Sequence, residues 1–343
     1  MRAVARGPLR IAFLVVLSSL AAWLGPGLGG VRAVDDMDEM EDLCAGNMRW
    51  MIGWCLDTMT AGEAQGAGVA ALAATPYVGA FESIDVPGAV ATRAFGINAQ
   101  GDVVGSYTDA TGTHGYLLRD GVFTTIDYPG AAATEAWGIN PRGDIIGRYT
   151  RAGVAGVRGF LLRHGGYTDI SIGNHLITLP TKIGASGEVV GCFHETSGLV
   201  DMYAYVQGRS GVTLFVRPST VAPTGSATMH NGITPGGRTI VGLHFPRPGE
   251  SRGYALTGET LTFIDFPGSR FTQAWDVNPQ TTVVGDYRDA GGGTHGFYLD
   301  ADGYVSIDVP GSLLTVARGI NPEGDIVGVY NDAAGTHGFV LRR

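Results

Sequence analysis

An all-β fold is what this sequence predicts, and three observations carry it. A phrase of about 43 residues recurs along the chain, and each copy holds four short runs of β-forming residues set between Gly, Asn, Asp and Pro turn signals. Glycine supplies 55 of the 343 residues, about twice the usual share, which suits many tight turns and leaves helix a minor element. The clearest copies open with Phe123-Thr-Thr-Ile-Asp-Tyr-Pro-Gly130, Phe263-Ile-Asp-Phe-Pro-Gly268 and Tyr304-Val-Ser-Ile-Asp-Val-Pro-Gly311. An Asn-bearing turn follows each (Trp137-Gly-Ile-Asn140, Trp275-Asp-Val-Asn278, Arg318-Gly-Ile-Asn321), and later in the unit come a Val-Val-Gly or Ile-Val-Gly run and, in several copies, Thr-His-Gly-Phe.

The chain opens differently. Residues 1–33 read as a secretory signal: Arg2, Arg6 and Arg10, an apolar run from Ile11 to Leu24, and Val31-Arg32-Ala33 as a small-residue cleavage site. The apolar run is too short to span a bilayer comfortably, so no transmembrane span is expected after its removal. Cleavage takes away Arg2, Arg6, Arg10 and Arg32 and no acid, moving the net charge from −9 to −13. Lys182 is the only lysine, no basic stripe is present, and nucleic acid is not an expected partner. The expected location is secreted or periplasmic.

Residues 34–60 begin with a dense acidic run and carry Met37, Met40, Cys44, Met48, Met51, Cys55 and Met59 at helical spacing, which predicts a short amphipathic helix with one sulfur-lined face. A continuous helix would hold Cys44 and Cys55 about 16 Å apart, beyond disulfide reach. A turn between them would instead allow a Cys44–Cys55 bridge, so the two readings exclude one another. The sulfur face suits either docking against another surface or a soft metal such as copper(I). Residues 61–80, rich in Ala and Gly, read as a linker.

From Phe81 to Arg343 the repeats take over. The glycines closing each Val-Val-Gly or Ile-Val-Gly run, Gly105, Gly147, Gly191, Gly242, Gly285 and Gly328, mark six units at intervals of 42, 44, 51, 43 and 43 residues. In the second unit the four runs are Ala136 to Asn140, Asp144 to Tyr149, Arg158 to Leu162 and Tyr167 to Ile170. Four strands in about 43 residues is the pattern of a β-propeller blade. The region opens with a lone fourth strand, Phe81 to Val86, and ends after a third strand, Gly338 to Arg342. Pairing the two would close the ring and remove two exposed edges. The expected fold is therefore a six-bladed β-propeller with one-plus-three strand closure, where an open β-solenoid would give no reason for that offset.

On these residues the chain resembles the HAF family of extracellular repeats. The family's phrase is matched by Gly96-Ile-Asn98, Gly101-Asp-Val-Val-Gly105 and His114-Gly-Tyr116, with equivalents at His295-Gly-Phe297 and His337-Gly-Phe339. The resemblance covers roughly residues 81–343 and is strongest in units one, two, five and six. It implies an exported repeat protein and brings no agreed activity and no catalytic residues. Many relatives end in a membrane-sorting tail; this sequence stops at Arg343, straight after a strand, and the expectation is a free soluble form.

Two regions could carry chemistry. Loops between second and third strands and loops between units share one face of a propeller. That face collects Asp109 with His114, Asp289 with His295 and Asp332 with His337, beside the turns at Asp85, Asp127, Asp265 and Asp308. These groups either bind a ligand such as a sugar or Ca²⁺, or hold the turns of each unit together, as their recurrence suggests. The other region is where the repeat breaks. Units three and four substitute Cys192-Phe-His194-Glu195 and Leu243-His244-Phe245, and an insertion adds Arg217, His230 and Asn231. If His194, Glu195, His230 and His244 converge, they could hold a divalent metal or act as acid and base; drift in an unconstrained sector would look the same.

No nucleophile elbow, zinc-protease motif, phosphate loop or dinucleotide fingerprint occurs in a supporting context. The sequence thus favours a non-catalytic binding or scaffold propeller facing a glycan, a protein or an envelope component, with no cofactor required. The alternative is a hydrolase or lyase acting on a polysaccharide or a small ester or lactone.

Overall fold

The structure, a computed structural model, describes residues 75–77, 79–195, 201–217, 219 and 226–343. The signal segment, the 34–60 helix and Cys44 with Cys55 lie outside the described residues. Within them every regular element is a β-strand, and no helix is long and apolar enough to cross a membrane.

The strands pair as six antiparallel four-stranded units. In the first, Ala91–Ile97, Val103–Thr108, Thr113–Arg119 and Val122–Ile126 follow one another outward. The first strands of the other five are Ala133–Ile139, Ile177–Ile183, Thr228–Ile233, Thr272–Val277 and Leu314–Ile320. Each first strand packs against the first strands of both neighbouring units, and the sixth meets the first, so the six line a central canal and the ring is closed. The fourth strand of the last unit is Phe81–Ile84, paired antiparallel with Thr336–Leu341. The two ends of the repeat region are thereby hydrogen-bonded into one sheet, which leaves neither as an open edge. Thr75–Pro76, within the stretch expected to be a linker, adds a short parallel strand to the outer edge of the fifth unit.

The recurring residues have local reasons. Each unit needs its Val-Val-Gly glycine because the second strand lies against the first. A Cβ at Gly147 would sit 2.1 Å from the Glu135 carbonyl oxygen, and at Gly285 2.0 Å from that of Gln273, with a third-strand aromatic ring close behind in each case. A threonine at the second position of the first strand ties down the Asp-x-Pro-Gly turn. Thr92, Thr134, Thr272 and Thr315 accept hydrogen bonds from the backbone N–H of Val86, Tyr128, Phe266 and Val309. The Asn turn works similarly: Asn98 Oδ1 accepts from the N–H groups of Gln100 and Asp102, while its Nδ2 donates to the Asp102 carboxylate. That carboxylate also receives Arg119 from the third strand, and Asp144 receives Arg163 in the second unit.

Candidate functional site

On the face that carries the loops between second and third strands, three histidines sit between two carboxylates each. His114 Nδ1 lies 2.9 Å from Asp127 Oδ1 and its Nε2 is 3.6 Å from Asp109. His295 lies 2.7 Å from Asp308 and 3.2 Å from Asp289. His337 lies 2.7 Å from Asp85, on the closing strand's turn, and 3.3 Å from Asp332. Each ring also stacks on the second-strand tyrosine of its unit, Tyr107, Tyr287 or Tyr330. In unit four the same position is Arg252, which donates to Asp265 of the equivalent turn. A side-chain nitrogen at that position meeting the turn aspartate is what the two residue types share, so the contact ties each blade to the turn that leaves it.

Asp109, Asp289 and Asp332 each already accept two backbone N–H groups of their own loops. The imidazole separates the two carboxylates of each set, and among the described residues no three His, Cys, Asp or Glu groups come together as a metal-holding cluster.

The clasps have a measurable pH signature. Burial alone would lower the pKa of His295, but Asp308 and Asp289 outweigh it and hold it above the usual histidine value; Asp85 and Asp332 do the same for His337. A folded-state pKa above the unfolded one gives stabilisation that is complete below about pH 6.5 and lost as pH rises through the folded value. The His295→Gln variant should lose up to about 1 kcal/mol at pH 6 and little at pH 8.5. Urea unfolding at the two pH values checks it; an equal loss at both would mean that the His295 contact is not ionic.

The unit three and four histidines are held separately. His194 is buried with its Nε2 3.8 Å from Cys192 Sγ, while Glu195 is exposed at the end of the strand. His230 is buried with Nδ1 2.7 Å from the Tyr254 hydroxyl, and burial pushes its pKa down to about 3. His244 is buried with Nδ1 3.3 Å from the Ala227 carbonyl, and burial again lowers its pKa. Among the described residues His194, Glu195, His230 and His244 form no metal-holding group of three. Cys192 is a buried free thiol whose pKa burial raises to about 12, so it carries no thiolate near neutral pH.

The canal holds what the repeat logic missed. At one end Ile97, Ile139, Ile183, Ile233, Val277 and Ile320, one from each unit and all buried, converge on the axis beneath a small cavity of about 40 Å³. The residue before each is Gly96, Gly138, Gly232 or Gly319 in four units, where first strands approach so closely that an added Cβ would meet the neighbouring strand's backbone at 2.6–3.3 Å. The other two are Lys182 and Asp276, whose ammonium and carboxylate form a buried ion pair inside the ring. Asp276 also accepts the Val277 and Ile320 N–H groups.

Further along the canal, toward the face of the clasps, the inward column of the first strands is different in each unit. Units one, two, five and six bring a charged and aromatic group. Trp137 stacks on Phe95 with ring centroids 4.3 Å apart, Arg148 lies 3.8 Å over Trp137, and Arg318 lies 3.7 Å over Trp275. Glu135 accepts from Trp137 Nε1 at 3.0 Å and Arg148 Nε at 2.6 Å, and Asp286 accepts from Trp275 Nε1 at 2.5 Å. Arg93 and Arg318 both interact with the Glu135 carboxylate through space, and Arg318 also with Asp286 and the other two arginines. Units three and four face this group with Leu179, Met229, Leu243 and Cys192, which form an apolar cluster. The Arg148 and Glu135 side chains retain 18% and 14% exposure, so water reaches them.

A second recess, about 410 Å³, lies in unit four between Arg247, Glu250, Arg252, Asp265 and Arg270. Two of its three arginines are already paired, Arg247 with Glu250 and Arg252 with Asp265.

No family model and no curated protein matches the sequence, so the HAF resemblance rests on the residues quoted for it. Solved structures do match. AofleA from Arthrobotrys oligospora aligns at 12% identity with a TM-score of 0.50, covering 77% of this chain and 86% of that one. Virginiamycin B lyase from Staphylococcus aureus aligns at 11% identity with a TM-score of 0.44, covering 77% and 99%. TolB from Acinetobacter baumannii aligns at 11% identity with a TM-score of 0.44, covering 74% of this chain and 54% of that one, so the chain spans about half the length of that TolB. At these identities the likeness is one of fold, and with the six paired units it makes this chain a β-propeller.

Proposed function

We propose that this protein is an exported, non-catalytic binding propeller of the HAF type, presenting the face of the clasps to a glycan, protein or envelope component, with its specific contacts at the mouth of the central canal. The observation that carries the reading is the contrast between two sets of polar residues. Those that recur in several units, the Asp–His clasps and Asn turns, spend their hydrogen bonds on the scaffold, within a blade or on the backbone of the next one. Those that differ from unit to unit, Arg93, Glu135, Arg148, Gln273 and Arg318, line the canal, where no repeat requirement explains them. Burial pushes the pKa of His230 down to about 3, so the hydrolase or lyase reading would have to rest on His194, Glu195 and His244.

The test is retention of the mature chain, residues 34–343, on immobilised envelope polysaccharide and peptidoglycan, compared with a variant carrying Arg148→Ala and Gln273→Ala. Retention of the native protein and at least tenfold weaker retention of the variant is expected. Equal retention of both would move the contacts away from the canal, and no retention of either would remove the envelope-binding reading.

A further inference from the structure

Among the described residues, the carboxylates that act on Arg93 and Arg318 are Glu135 and Asp286; with Arg148 that makes three guanidinium groups to two carboxylates, in a chain whose net charge is −9. Glu135 is engaged by Arg148 and Trp137, and Asp286 by Trp275. Arg318 is left with its Nε and Nη1 buried and without a hydrogen-bond partner, stacked on Trp275 with its plane held in place. Buried donors of this kind normally find acceptors, and an uncompensated buried guanidinium is costly. The cost is visible in the titration of the group: burial pushes Arg318 down to about 10 and lowers Arg93 as well.

We propose that the canal is a binding site for a small oxyanion, carried as the carboxylate of an acidic sugar or as a phosphate group, with Arg318 and Arg93 as its principal donors. This deepens the binding-propeller reading and rests on it for the accessibility of the canal mouth. Charge selects the ligand class, because the surplus is positive and the unpartnered atoms are donors: an anion meets both, a neutral acceptor only the donors, and a cation neither. A guanidinium already stacked on an indole loses little freedom on binding, and its planar fork matches carboxylate or phosphate in two-point contact.

Calorimetric titration of the mature chain at low chloride tests this with D-glucuronate, inorganic phosphate and neutral D-glucose as probes. Native protein should bind glucuronate or phosphate and not glucose, and Arg318→Gln and Arg93→Gln should each weaken the anion at least tenfold. Which of the two anions binds separates a sugar acid from a phosphate-bearing ligand. The same variants should keep the native circular-dichroism spectrum and a single cooperative melt; this readout separates a binding role from a structural one. Absence of anion binding by the native protein, or equal anion binding by native protein and both variants, would overturn the proposal. Envelope retention that survives Arg318→Gln would overturn it too, while leaving the binding propeller standing.

Discussion

The Asp276→Asn variant is expected to lose about 3–5 kcal/mol of stability, the cost of stranding one member of a buried ion pair. Lys182 retains only 10% of its side-chain exposure and Asp276 1%, and the pair spans two blades 94 residues apart in sequence. Without the carboxylate the ammonium has no counter-charge in a ring of aliphatic side chains and glycines. Lys182→Met should be milder and should depend on pH. Burial already pushes the Asp276 carboxyl above its usual range against the pull of Lys182, so loss of the lysine lets it take a proton. A carboxyl pKa raised in the folded state adds stability as pH falls, so Lys182→Met should approach native stability at pH 5 and depart from it at pH 8. The double variant Lys182→Gly with Asp276→Gly restores the residue of the other four units and admits water instead of an orphan charge. Its cost should be well below the sum of the two single changes. Urea unfolding of the four proteins measures this, and a loss under 1 kcal/mol for Asp276→Asn would show that the pair is solvated.

Gly285→Ala is expected to cost at least about 3 kcal/mol or to abolish folding, at the upper end of what overpacking does. The added methyl would lie 2.0 Å from the Gln273 carbonyl oxygen and 2.7 Å from the Phe297 ring. The ring can turn and the carbonyl cannot, because it belongs to the adjacent strand of the same sheet. Gly88→Ala is the contrast: nothing lies within 4 Å, but the residue has φ +83°, so only backbone strain of about 1–2 kcal/mol is expected. Melting temperatures of the two variants separate lack of space from lack of conformational freedom. A tolerated Gly285→Ala would mean that the first and second strands pack less closely than described.

Much of this was legible in the sequence where the information is local. Gly105, Gly147, Gly191, Gly242, Gly285 and Gly328 could serve as register marks because one short-range constraint, the gap between first and second strands, acts at each of them. The Asn turn and the Asp-x-Pro-Gly turn are legible for the same reason: their bonding partners lie within a few residues. The clasp histidines sit one step further out. Their recurrence marked them, but only the positions of Asp85, Asp127 and Asp308 reveal that a second carboxylate, from the turn that leaves the blade, faces the other imidazole nitrogen. The canal was missed because repeats were compared unit by unit. Comparison by position along the first strand would have shown Arg93, Glu135, Leu179, Met229, Gln273 and Val316 at one place, and Lys182 and Asp276 standing where four units have glycine.

The sequence by itself determined the strand rhythm, the turns and the offset that joins Phe81–Ile84 to Thr336–Leu341, because each follows from bonds between near neighbours or from counting strands in the chain. Only the tertiary structure decided which polar groups are spent and which remain open. That depends on residues from different blades meeting across the canal, and a Lys182 that finds Asp276, or an Arg318 that finds no acceptor for two of its donors, is a fact about distances in space that the order of residues does not contain.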